Sequence, residues 1–204
     1  MTLWTENMKM LTKQGFWSEQ EKTLPVLSNS QVFKSDRYKA GDAAVQAIES
    51  RLGMTLPERY KDVAREEGFV VGNYYDDKGI LTSGLGQTGQ YLSQSPLKAL
   101  QEKEGIASLL VDGYDNYDEK TKGALLSAVY RGDMEAGHSW LKSFNAGDYD
   151  KAAKQFLQHK EYKERKAVNK NDGVVKRLEH IAKTIKDADY QIPDNVETKP
   201  EKAK

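Results

Sequence analysis

Between Phe69 and Gly86 the chain stops reading as helix, and that interruption constrains its architecture more than any other feature. Val70, Val71, Tyr74, Tyr75, Ile80, Leu81 and Thr82 favour extended backbone, and Asp76-Asp77-Lys78-Gly79 breaks the run with turn-forming residues. A β-hairpin is expected there. The flanks are spaced for helix. Upstream, Ala44, Val45, Ala47, Ile48 and Leu52 form an apolar stripe on a helix over 41–52. Such a stripe packs into a core or, as the alternative, meets a partner. Pro57 then opens a second helix that continues from Glu58 to Glu67. After Pro96 the helical pattern returns over 97–110, 119–130, 135–144, 148–159 and 174–186.

One short extended segment among helices predicts an α+β protein, mostly α, with a small hairpin lobe, a larger helical lobe and a cleft between them. Three regions are expected: a helical N-terminal extension over 1–56, with a short helix at 5–13; the two-lobed domain over 57–190; and a flexible tail over 191–204.

Composition narrows the function. The chain has no cysteine, which removes disulfide frameworks, thiol catalysis and Cys-ligated zinc. The first twenty residues lack the apolar run of a signal peptide, and no stretch approaches the roughly 18 apolar residues of a membrane span. A protein made in the cytoplasm is expected, one that reaches any extracytoplasmic target by another route. Thirty-one basic residues balance thirty-one acidic ones, so net charge names no partner. The distribution is uneven: residues 142–186 carry twelve bases against six acids, a solvated helical face or a surface for an anionic polymer.

Glycosidic hydrolysis needs a carboxylic acid to protonate the leaving oxygen and a second carboxylate to activate water or stabilise the anomeric charge. A helix end and the hairpin that follows it can supply both. Glu67 closes the Pro57 helix, Asp76 stands at the hairpin turn, and Thr82 opens the return strand. Alone, such a trio is common.

Its surroundings are not. Arg65-Glu66-Glu67-Gly68, then Tyr75-Asp76-Asp77-Lys78-Gly79, then Thr82-Ser83-Gly84-Leu85-Gly86 resembles the phage-type lysozymes (glycoside hydrolase family 24), with the family's spacing from Glu-Gly to Asp to Thr to Gly-x-Gly and no gap. The segments 145–153 and 174–177 look like that family's late helices, so the resemblance covers roughly residues 57–186. It implies a lysozyme-like fold and a muramidase that cleaves the β-1,4 bond between N-acetylmuramic acid and N-acetylglucosamine with inversion. Glu67 would be the general acid, and Asp76 and Thr82 would hold the attacking water. Gly84 and Gly86 would let the backbone approach the sugar, and Tyr130 and Arg131 would line the cleft. Arg177 or Lys176 would supply a cation near Glu67, with Glu66 as a further acceptor. The resemblance implies peptidoglycan glycan strands as partner and neither cofactor nor metal. A phage endolysin, a virion lysozyme and a secreted effector stay open, the last implying delivery machinery and an immunity protein. A wall-binding module of the same fold without turnover is the alternative. In place of the family's usual His, Gln87 follows Gly86.

Other motifs carry less. Gly84-Leu85-Gly86-Gln87-Thr88-Gly89 satisfies the dinucleotide fingerprint, but no helix follows to face a pyrophosphate. Asp112, Asp115, Asp118 and Glu119 are spaced by three, unlike a calcium loop, and suit the start of a helix. His138, His159 and His180 lack a second ligand in step for zinc. Trp4, Trp17 and Trp140 could stack on sugars, yet core positions are commoner for tryptophan. Nucleic-acid binding through 142–186 is the least favoured reading.

Overall fold

The computed structural model describes residues 16–92 and 94–191, so the helix expected at 5–13, Trp4 and the tail beyond 191 lie outside the described residues. In chain order the elements are α1 (Glu19–Lys22), β1 (Leu27–Ser28), α2 (Asn29–Val32), β2 (Tyr38–Lys39), α3 (Asp42–Leu52), α4 (Glu58–Glu67), β3 (Phe69–Tyr75), β4 (Leu81–Gly84), β5 (Gln87–Thr88), α5 (Pro96–Leu110), α6 (Glu119–Arg131), α7 (Ser139–Asn145), α8 (Tyr149–Phe156), α9 (Lys160–Val168) and α10 (Gly173–Lys186). The protein is α+β and mostly helical, with a small mixed sheet. Among the described residues no helix is long and apolar enough to cross a membrane.

Local chemistry sets the helix starts. Ser95 accepts from Leu97 N, Asp118 from Thr121 N, Asp148 from Lys151 N, and Asp172 from Val174 N and Val175 N. Each satisfies an amide that the first helical turn leaves without a partner. The acidic run therefore ends in a cap, through Asp118.

Packing divides the molecule into two main cores. The first gathers Phe16, Trp17, Val45, Ile48, Tyr60, Phe69, Leu85 and Leu97, and the second gathers Leu125, Phe144, Phe156, Leu178, Ile181 and Ile185. Two helices belong to both. From α5, Leu97 and Leu100 enter the first core and Ala107 the second; from α6, Leu126 enters the first and Leu125 and Ala128 the second. Two lobes are thus held on a shared frame, and Arg59 adds to it by pairing with Glu104 of α5 and Glu119 of α6.

Three expectations need correction. The boundary at 56/57 is not a packing boundary. Phe16 and Trp17 are buried against Phe69, with Trp17 stacked on it at 5.7 Å, and the α3 stripe lies in the same core. The sheet is also larger than a hairpin. β4 pairs antiparallel with β3 and β5 with β4, while β1 (parallel) and β2 (antiparallel) pair with β3. Two-residue strands show no alternation, so distant pairing alone reveals them. Finally, the helices expected at 135–144 and 148–159 are shorter. His138 stands just before α7, and His159 caps the unforeseen α9 by accepting from Tyr162 N at 3.4 Å. Trp17 and Trp140 are both buried, which makes them core residues.

Candidate active site

Glu67 ends α4 because Gly68 follows. Gly68 has φ +70° and ψ 173°, a region essentially closed to residues with a Cβ, and it turns the chain directly into β3. A Cβ there would also strike the ring of Tyr38. Glu67 is held by Arg177 of α10, whose Nη2 donates to Oε1 at 2.6 Å. The same guanidinium sets its Nε 2.8 Å from Glu66 Oε2, which also accepts from Ser127 Oγ at 2.8 Å. Of the two basic candidates on the late helix, Arg177 makes this contact. One positive charge serves two carboxylates, and Glu67 Oε2 has no hydrogen-bond partner among the described residues.

Asp76 sits half-buried where the hairpin turns. Its Oδ1 accepts from Lys78 N at 2.9 Å and Ile80 N at 2.8 Å, which fixes the turn, and Oδ2 has no partner among the described residues. Thr82 pairs with Tyr74 across β3 and with Thr88 across β5, so the three side chains share one face of the sheet. Asp76, two residues beyond Tyr74, continues that face. Thr82 is 3% exposed, and its hydroxyl proton is committed to Ile80 O at 2.9 Å. Toward a ligand or water it can therefore only accept.

Tyr74 stands opposite Thr82 on that face. Burial first, then the charges of Asp76 and Glu67, push its phenol up to about 12. Burial, then Glu67, also raises Tyr38. Tyr130 is raised further, by burial first and then by Glu67, and its hydroxyl donates to Leu85 O at 2.8 Å. All three stay neutral phenols at ordinary pH. The site is thus two carboxylates with free oxygens and one acceptor hydroxyl, walled by tyrosines.

Tyr130 extends this wall into a hollow of about 370 Å³ that Gly86, Thr88, Tyr91, Lys103 and Ile106 also line. Gly86 is exposed, with φ +97° and open space where a Cβ would stand, so backbone is presented bare to the hollow. Gly84 differs. It is buried, and a Cβ there would collide with Gln87 Oε1; it accommodates Gln87 rather than a sugar. Gln87 in turn accepts from Leu85 N and donates to Gln94 O, so it fills its place as a packing residue.

Arg131 also departs from expectation. Its guanidinium is committed to Asp133 at 2.7 Å and Glu161 at 3.1 Å, on the side of the large lobe where a hollow of about 400 Å³ opens beside His138 and His159. Asp133, Glu161 and His159 bring ligand atoms within 4.8 Å of one another, the one such grouping among the described residues. Arg131 already neutralises its two acids, so an added cation would meet a resident one.

Sequence reading did not find Tyr38, Tyr74 or Ser127. Tyr74 was visible as an alternating strand residue two before Asp76, whereas Tyr38 and Ser127 reach the site only through tertiary contacts. Comparison of the chain with known proteins returned no match: no family model, no curated protein and no solved structure corresponds to it.

Proposed function

We propose that the chain is a peptidoglycan hydrolase, a muramidase cleaving the β-1,4 bond between N-acetylmuramic acid and N-acetylglucosamine. One observation carries the reading: Glu67 and Asp76, at the two ends of β3, each keep one carboxylate oxygen without a partner among the described residues, and Asp76 continues the sheet face that holds Tyr74 and Thr82. The motif resemblance to phage-type lysozymes supports it. Glu67, at a helix end, delivers a proton to the glycosidic oxygen. Asp76 Oδ2 takes a proton from the attacking water, while Thr82 Oγ1 accepts the other and aims the oxygen. In an inverting reaction the two carboxyls stand about 6.5–9.5 Å apart so that water fits between them. Tyr130 and the bare backbone at Gly86 would seat neighbouring sugars. The substrate places the enzyme's action at the cell wall, after release or delivery.

A second reading is favoured by the Arg177 contact, because Arg177 already occupies Glu67 Oε1 and ties that carboxylate into an ion pair. In that reading the chain binds wall glycan without turnover. Release of reducing ends from purified peptidoglycan decides between them. The wild-type chain is expected to release them and Glu67→Gln to release none. Equal release by both would remove Glu67 from the chemistry, and no release by either would select the binding module.

A further inference from the structure

The segment before α4 brings its own aromatic residues to the rim of the candidate site. Phe33, just after α2, sets its ring edge-on against Tyr38 at 4.5 Å and Tyr74 at 6.1 Å. It is still 45% exposed. Tyr38 lies across Gly68, next to Glu67, in a contact so close that any side chain at 68 would displace it. Among the described residues neither the Tyr38 nor the Tyr74 hydroxyl is hydrogen-bonded within the protein; Tyr38 is half-buried, and Tyr74 backs it from a small core shared with Val32 and Val70. β2 extends the sheet from the edge of β3 opposite β4. Four strands spaced by about 4.8 Å span roughly 14 Å from Tyr38 past the buried Tyr74 and Thr82 to Thr88, which borders the hollow.

We propose that Phe33 and Tyr38, backed by Tyr74, form a sugar-stacking subsite that lengthens the groove on the side away from the Gly86–Tyr130 hollow. The identity of the polymer, a β-1,4-linked chain of N-acetylated hexosamines, rests on the muramidase reading. The chemistry suits it. A pyranose offers an apolar C–H face to an aromatic ring and polar groups around its edge, and this ledge offers an exposed ring flanked by two unsatisfied phenols. Continuity with the candidate site supplies the occupant, since one glycan strand crossing the acids would run onto the ledge. The N-terminal segment is then part of the substrate groove.

The test is calorimetric titration of soluble β-1,4-linked N-acetylglucosamine oligomers, short and long, into the full chain carrying Glu67→Gln. Adding Phe33→Ala is expected to weaken binding of long oligomers about two- to tenfold and leave short ones unchanged. Phe33→Leu, which keeps apolar bulk for folding, should lose the same amount, and Phe33→Trp should restore it. Unchanged long-oligomer affinity in Phe33→Ala, or no oligomer binding by the parent, would overturn the ledge. The chemistry is judged separately, by reducing-end release from the active chain. The ledge can fail while hydrolysis persists, and it stands if Phe33 is needed for binding by a chain that cleaves nothing.

Discussion

Arg177 and Arg131 are equally buried, each with 13% of its side chain exposed, and each bridges two carboxylates. Their surroundings separate them. Around Arg131, Glu161 is also held by Arg165 at 2.9 Å, and Arg165 pairs in turn with Asp172 at 3.4 Å, so both oxygens of Glu161 are taken. Around Arg177, one guanidinium meets Glu66 and Glu67, Ser127 takes up Glu66, and Glu67 Oε2 has no partner among the described residues. The same ion-pair chemistry takes up both oxygens of Glu161 in one place and only one oxygen of Glu67 in the other.

The acids should separate the two regions most widely. Asp76→Asn keeps an oxygen for the Lys78 and Ile80 amides, so the hairpin survives, while reducing-end release is expected to fall about 10²–10⁴-fold, the range for losing an acid–base group. Asp133→Asn should leave release near the wild-type rate. Equal rates for the two variants would erase the distinction.

Next in size are the arginines. Arg177→Met strands two half-buried carboxylates and is expected to cost about 2 kcal/mol in urea denaturation, below the roughly 3–5 kcal/mol of a fully buried pair because water still reaches them. Arg131→Met should cost about 1 kcal/mol, since Arg165 still holds Glu161. Arg177→Met alone should also slow hydrolysis, by freeing Glu67 to turn away. A matching loss of rate in Arg131→Met would mean that both clusters serve the fold only.

Alkaline pH gives the smallest effect. The Tyr74 phenol titrates at about 12 in the fold, against roughly 10 in the unfolded chain. A raised folded value means that its stabilising contribution is complete below pH of about 10 and is lost as pH climbs toward about 12. Stability measured across that window should fall less steeply in Tyr74→Phe than in the wild type. Identical slopes would detach Tyr74 from the buried neighbourhood of Glu67 and Asp76.

Much of this was legible along the chain because it is local. The helix over Glu58–Glu67, the glycine that ends it, the hairpin around Asp76 and the capping acids all follow from neighbours within a few residues. So did the α+β class. The roles of single residues were less legible. Gly84 and Gly86 look alike in sequence, yet one is pressed against Gln87 and the other faces an open hollow. Arg131 adjoins Tyr130, yet successive helix positions point in different directions, and its guanidinium goes to the large lobe.

By itself, then, the sequence determined the alternation of helix and hairpin and the spacing that puts an acid at the end of each, since hydrogen bonds and side-chain periodicity act over one or two turns. Only the tertiary structure decided that α10 delivers Arg177 to Glu66 and Glu67, and that Phe33 and Tyr38 join the sheet beside the site. It also decided that Phe16, Trp17 and α3 share a core with α4. Those contacts join positions far apart in the chain, and burial of apolar surface, which is blind to sequence distance, selects them.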